Sequence, residues 1–377
     1  MLGRVLTHLE RLVACPTENP PRAIAADDPA LGYCVGVLKK AGCAVAIDDL
    51  GDGCVSLLAT RGRARTVVNC HLDTVPADPS WTRDPFKLGV EGDHAIGLGA
   101  CDVKGAAACM LTAVEESDGA VALLLTTDEE AGQSRCVREF LKGSMASESA
   151  YDSAVVAEPT GVRAVTKHRG LATYDVRFEG VAAHSSMIGA DQRNAVHLAA
   201  RWCADAMDLT RSAPFDDIRL NIGKFQGGTK ANVAASSATV TFGMRPPAGM
   251  HPDVAAGALA DLSASETKSA WTARFSAPGL DESAGTDALL ARYGFERGDP
   301  VDFWTEAALF GEAGLATVVL GPGDIRQAHA ADEFVALEDL RRAAASYGRV
   351  FADEGAQGGT RVEMKAVDRV VDGGAVG

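Results

Sequence analysis

Cys70-His71-Leu72-Asp73-Thr74-Val75-Pro76 closes the apolar run Thr66-Val67-Val68-Asn69, and the architecture of the chain can be built from it. Taken alone it is a buried strand that runs into a turn, with a histidine at the strand's end. Three other apolar runs behave alike. Val121 to Thr127 is followed by the pair Glu129-Glu130, Ala154 to Ala157 by Glu158, and Ala316 to Leu320, after a short interval, by His329. Asp102 follows the glycine-rich turn Gly97-Leu98-Gly99. Each run thus delivers a metal-capable side chain beyond its C-terminal end.

On the N-terminal side, Leu2, Val5, Leu6, Leu9, Leu12 and Val13 form a helical stripe, and Leu31 to Ala41 forms a second. Short strands are expected over 44–48 and 55–59, and the small residues of 103–114 suit a helix packed closely on a sheet. The loop from Asp78 to Asp93, with Trp81 and Phe86, is long enough to fold over a cleft. This alternation predicts an α/β domain whose sheet is covered on both faces, with functional groups gathered outside the carboxyl ends of its strands. From about Arg163 the pattern changes. Strands over 173–178, 218–225, 238–244 and 271–275 and helices over 192–207 and 253–262 predict a ferredoxin-like α+β unit. The α/β pattern resumes near Asp287, so the expected domains are 1–162 with 277–352, an insert over 163–276, and a Gly-rich, disordered tail over 353–377.

The 377-residue chain is 47% hydrophobic and 23% charged, with room for two cores. Its 51 acidic and 36 basic residues leave a net charge of -15. With no run of Lys and Arg, nucleic acid and anionic membranes are excluded as partners. Nine cysteines without a Cys-x-x-Cys pair predict reduced thiols and a cytoplasmic protein, as does an N-terminus without a signal segment. A dinucleotide fingerprint at Gly97-Leu98-Gly99 fails, because Asp102 stands where the third glycine belongs.

Carboxylates and imidazoles without thiolates suit Zn²⁺, Co²⁺ or Mn²⁺. Two dications balance Asp102, Glu130, Glu158 and one hydroxide, so a partly buried dimetal cluster would be neutral. Two such ions about 3.5 to 4 Å apart can share a carboxylate and activate water. On a turning backbone Glu129 and Glu130 diverge, so one can bind metal while the other faces the substrate as general acid and base. Asp73, two residues after His71, is placed to receive the other imidazole N–H.

These residues resemble the M20 family of dizinc amidohydrolases, in its acetylornithine deacetylase and succinyl-diaminopimelate desuccinylase branch. The resemblance rests on His71 to Pro76, Gly97 to Gly105, Thr127 to Glu130, Ala157 to Thr160, Ala183-His184-Ser185, Gly243 to Pro246, Thr305-Glu306-Ala307, Gly321 to Asp324 and Ala328-His329. It implies a zinc-peptidase-like mixed sheet with an inserted lid and dimerisation domain, and a homodimer. It also implies that His71 and Glu158 hold one Zn²⁺, that Glu130 and His329 hold the other, that Asp102 bridges them, and that Glu129 is the general base. Co²⁺ would substitute. His184, by residue type a loop histidine, resembles the family histidine that crosses the dimer to stabilise the oxyanion.

For the substrate, Arg245 at the end of a predicted strand can hold an α-carboxylate bidentately. Asn232 resembles another substrate-binding position of the family, and Glu306 is expected at the cleft to meet a side-chain amine or ureido group. Asn19 to Ala25 and Val301 to Glu306 resemble a subgroup acting on N-acetylcitrulline. The expected reaction is deacetylation of Nα-acetylornithine or Nα-acetylcitrulline, a small-molecule N-acetyl amino acid of arginine biosynthesis. A dipeptidase or desuccinylase on the same scaffold is the alternative, and a non-catalytic metal-binding protein a more remote one.

Overall fold

The computed structural model describes residues 1–21, 24–132, 134–145, 151–263 and 269–353; the expected tail beyond Asp353 lies outside them. Six strands form one mixed sheet in the spatial order Ala44–Asp49, Val55–Arg61, Val121–Thr126, Thr66–His71, Ser153–Val156, Ala316–Val319. The first two join antiparallel, whereas Thr66–His71 runs parallel to Val121–Thr126 and Ser153–Val156, and Ala316–Val319 parallel to the latter. The four parallel strands are buried along their whole length, which is why they read as unbroken apolar runs.

Strand alternation distributes those side chains between two cores. Val68, Cys70, Leu123 and Leu125 pack with Leu9 and Leu12 of helix Leu2–Val13, Leu38 of Pro29–Lys40, Met110 of Lys104–Glu115 and Tyr347 of Leu337–Phe351. Val67, Leu124 and Val156 face the other way, onto Val137 and Phe310 of helices Arg135–Met145 and Ala307–Glu312. A sheet covered on both faces hides everything except its ends and edges, and parallel strands bring their carboxyl ends to one side. His71, the Asp128-Glu129-Glu130 triplet and Glu158 consequently emerge together.

Leu171–Glu179, Arg219–Gly227, Ser237–Arg245 and Ser269–Ala277 build a separate antiparallel sheet, with Leu171–Glu179 and Ser237–Arg245 in its centre. With helices Ala195–Leu209 and Pro252–Asp261 this is the βαββαβ order of the ferredoxin-like arrangement expected from sequence. The central strands alternate between half-buried and buried residues, because helices cover one face only. Phe178, Trp202, Phe242 and Trp271 cluster there, and the Trp202 indole N–H donates to the Leu259 carbonyl at 2.9 Å, joining the two helices. Residues 164–168 instead bridge to Arg297, Val319 and Val301, so they pack with the first body and not with the second sheet.

Two small sheets went unforeseen: Gly89–Glu91 with His94–Ile96 and Phe334–Ala336, and Ala183–His184 with Val233–Ala234. Strands of two or three residues are too short to show periodicity. The Asp78 to Asp93 loop is anchored through Thr82, whose N–H and hydroxyl donate to Asp332 at 3.1 and 2.6 Å.

Candidate metal centre

His71 ends a strand buried on both sides, and its ring is 3% exposed. Its Nδ1–H donates to the backbone carbonyl of Asp73 at 2.9 Å. The Asp73 carboxylate stands farther from the ring, at 3.5 Å, so the expected tautomer is set mainly by Asp73's main chain. The proton on Nδ1 leaves the Nε2 lone pair directed between Asp102 Oδ1 at 3.2 Å and Glu158 Oε1 at 3.8 Å. Asp102 Oδ1 is buried and has no hydrogen-bond partner. Three acceptor atoms converging without a donor are what a cation satisfies.

A second group adjoins the first. His329 Nε2 lies 2.9 Å from Glu130 Oε1 and 3.5 Å from Asp102 Oδ2, so Asp102 belongs to both groups. Within each group the potential ligand atoms lie within 4.8 Å of one another. The donor set, imidazole and carboxylate with one carboxylate shared, fits a pair of borderline dications and not a thiolate-bound structural metal. His71 with Glu158, and Glu130 with His329, would hold the two, with Asp102 between them. The cluster's charge registers in its acid–base behaviour. Without a cation a proton fills its place on Nε2: burial lowers the His71 pKa, yet Asp102, Asp73 and Glu158 raise it well above its ordinary value. Glu130, against burial, takes His329 up to about 9.

The acidic triplet divides its work. Asp128 accepts the backbone N–H groups of Arg135 and Cys136 at 2.5 and 3.2 Å and caps the helix that begins there. Glu130 belongs to the second candidate ligand group, and both Glu129 and Glu130 line the cleft. Burial first, then Glu130, Asp73 and Asp102 against His71, pushes Glu129 up to about 8, the range of a working general base. Asp73 Oδ2 accepts the Glu130 backbone N–H at 2.9 Å and ties the His71 turn to this triplet. The Gly321 motif serves Glu158: a Cβ at Gly321 would stand 2.6 Å from the Glu158 carbonyl oxygen, so only glycine lets the two loops touch.

The cleft holds about 370 Å³. Beyond the acidic residues and the candidate ligands, its walls include Leu171, Thr173, Arg245, Phe275, Phe303 and Trp304. Sequence reasoning found Arg245 and quoted the stretch holding Phe303 and Trp304 without assigning them to the cleft, where Phe275, distant in the chain, joins them. Arg245 Nη1 is buried and has no partner, and burial together with nearby Arg219 lowers the pKa of its guanidinium. Its neighbours Arg169 and Arg219 already share Asp302, at 3.0 and 2.8 Å.

Glu306 corrects an expectation. Only 1% exposed, it is absent from the cleft walls, and its carboxyl lies behind Glu129 against the Thr126 hydroxyl at 3.5 Å. The turn into helix Ala307–Glu312 carries it inward, where burial, then Asp128 and Glu129, raise its pKa well up. A neighbouring pair also escaped notice. His168 Nδ1–H donates to the Arg169 carbonyl at 2.9 Å, and Nε2 accepts from the Thr305 hydroxyl at 3.0 Å. His184 ends one strand of the two-residue ribbon and Asn232 directly precedes the other, its carbonyl accepting the Ser185 N–H at 3.0 Å; both are exposed and absent from the cleft walls. His184 Nδ1 lies 2.7 Å from the Ser186 hydroxyl and 3.3 Å from the Ser186 N–H, two groups able to donate to it, an arrangement that favours the ring proton on Nε2.

Comparison with known proteins agrees with this geometry. The chain is 41% identical over 367 residues to the N-acetyl-L-citrulline deacetylase of Xanthomonas campestris, covering 93% of this chain and 98% of that one. It is 30% identical over 354 residues to the acetylornithine deacetylase of Myxococcus xanthus, covering 86% and 91%. Among solved structures, the Bacillus cereus aminopeptidase PepT superposes with a TM-score of 0.72 at 18% identity, covering 93% of this chain and 98% of that one. The Bacillus subtilis YXEP protein, a dinuclear metal binding M20 peptidase, does so at 0.64 and 15%, covering 93% and 97%. At these identities both show the fold alone. The model of the peptidase family M20/M25/M40 matches residues 67–353. The chain belongs to the M20/M25/M40 peptidase family.

Proposed function

We propose that this chain hydrolyses the acetyl amide of an Nα-acetyl amino acid, with N-acetylcitrulline as the preferred substrate, releasing acetate and the free amino acid. The observation that carries the choice is where charge sits in the cleft. Asp102, Glu129, Glu130 and Glu158 are its lining carboxylates, all in or beside the candidate ligand groups; the rest of its wall offers Arg245 and apolar and aromatic side chains. A neutral ureido group suits that wall better than an ornithine ammonium, which would lie near a cation with no carboxylate to meet it. The 41% identity to an N-acetyl-L-citrulline deacetylase supports the same reading.

His71 with Glu158, and Glu130 with His329, would hold two dications, Zn²⁺ or Co²⁺, which when bound would supply polarisation of the amide carbonyl and acidification of water. Arg245, with its buried, unpaired Nη1, holds the α-carboxylate and fixes the amide against Glu129. Glu129 takes a proton from the attacking water and returns it to the amide nitrogen as the C–N bond breaks. His184, its proton on Nε2, donates to the carbonyl oxygen as charge develops there.

Because His184 lies outside the cleft of its own chain, it would serve the site of a second subunit. Exposed Val181, Met187 and Ile188 near it, and exposed Phe225 on the edge strand Arg219–Gly227, support such a homodimer. Nine free thiols support a cytoplasmic setting, and among the described residues no helix is long and apolar enough to cross a membrane. The test is kcat/KM of the Zn²⁺- or Co²⁺-loaded protein on N-acetylcitrulline and N-acetylornithine. A higher value for N-acetylcitrulline is expected. Equal or reversed values would overturn the choice, and negligible turnover of both would favour a dipeptidase or desuccinylase.

A further inference from the structure

Glu333 has no part in the chemistry above, yet it is 2% exposed and stands at the back of the ligand cluster. One carboxylate oxygen accepts the backbone N–H groups of Cys101 and Asp102 at 2.7 and 2.9 Å, and the other accepts that of Gly99 at 2.9 Å. Its own carbonyl accepts the N–H of Gly97 at 3.0 Å. The turn that presents Asp102 is thus hung from a single residue, its Gly99, Cys101 and Asp102 N–H groups from the side chain. The turn is also confined from outside: Gly99 has φ +78°, and a Cβ there would stand 2.9 Å from Thr74 Cγ2 and 3.0 Å from Lys104 Cδ.

The place of Glu333 in the chain adds the second half. It follows His329 by only a few residues, and Phe334 directly after it pairs with Ile96 directly before the turn. The segment bearing His329 and the turn bearing Asp102 therefore meet at this carboxylate. We propose that Glu333 is a positioning residue that sets Asp102 and His329 in register for the cations, an inference that rests on the dimetal reading of the cleft. A carboxylate is the group this task requires. Its two oxygens accept all three N–H groups, whereas an amide offers one oxygen and would turn an NH₂ toward a donor. An error in the Asp102 turn reaches both cations, because Asp102 belongs to both ligand groups.

The experiment titrates the metal-free full chain with Zn²⁺ by calorimetry and compares Tm with and without the metal, for the unaltered protein, Glu333→Gln and Glu333→Asp. Glu333→Gln is expected to bind the cations about 10- to 100-fold more weakly and to show a smaller metal-induced rise in Tm. Glu333→Asp, which keeps both oxygens, recovers part of each. Unchanged affinity in Glu333→Gln, with Tm lowered equally in both states, would make Glu333 merely structural and overturn the proposal. Failure of the unaltered chain to take up two cations would instead overturn the dimetal reading. Should the variants not fold, hydrogen exchange on the unaltered, metal-free protein decides. Slow exchange at Gly99, Cys101 and Asp102 is expected, and fast exchange there that slows only after Zn²⁺ is added overturns the proposal.

Discussion

The carboxylate of Asp73 accepts the backbone N–H of Glu130 at 2.9 Å, while the carbonyl of the same aspartate takes the His71 ring proton at 2.9 Å. One residue therefore joins the two halves of the metal centre. Asp73→Ala keeps the carbonyl and loses the tie to Glu130. Metal affinity or activity should fall about 10- to 100-fold, in the range for groups that orient ligands. Calorimetric titration of the metal-free variant checks this, and affinity within twofold of the unaltered chain would contradict it.

Glu129→Gln and His184→Ala should each be nearly inactive, with losses of at least about 10² in kcat, while both still bind metal. Mixing and re-forming the dimers of the two variants should restore about one quarter of wild-type activity. Half the dimers would be mixed, and each would carry one intact site with Glu129 from one subunit and His184 from the other. Additive residual rates after mixing would show that His184 does not cross between subunits.

Arg245→Lys retains a cation but not the planar fork that matches a carboxylate. The expected outcome is a fall of about 10-fold or more in kcat/KM, carried largely by KM. An acetyl amide lacking the α-carboxylate should be hydrolysed poorly by the unaltered protein and no worse by the variant. Equal sensitivity of both substrates to Arg245→Lys would place the arginine elsewhere in the reaction.

His168 is buried in its neutral form, and burial, with Arg245 nearby, takes its pKa from 6.5 down to about 4. The unfolded chain therefore binds the proton first as pH falls. The stabilisation is complete above pH 6.5 and is lost progressively toward about pH 4. Between about pH 7.5 and about pH 5, the unaltered chain should lose about 2 kcal/mol more than His168→Gln. Urea unfolding at both pH values measures this directly, and parallel losses in the two proteins would show that His168 titrates normally.

Much of this was legible in the primary structure, for a reason the strands make plain. Thr66–His71, Val121–Thr126 and Ser153–Val156 are buried on both faces, so each must be an unbroken apolar run, and a polar residue just past its end belongs to a turn or to a site. His71, Glu130 and Glu158 were marked in that way, and His329 and Asp102 joined them through the chemistry of the ligand set. The half-buried alternation of Leu171–Glu179 and Ser237–Arg245 likewise revealed the second sheet. Glu306 went astray because its direction depends on a turn of backbone into helix Ala307–Glu312, which residue types do not specify.

Apolar periodicity was enough to specify the two sheets and the strand ends from which candidate ligands emerge, since burial dictates composition locally, and the residue types at those ends specified the class of metal they suit. The packed chain was needed to show which acceptor faces the His71 ring, which member of the acidic triplet caps a helix, that Asp102 is shared by both groups, and that three backbone N–H groups converge on Glu333. Each of these is a distance between residues far apart in sequence, set by how the parallel strands and their loops pack.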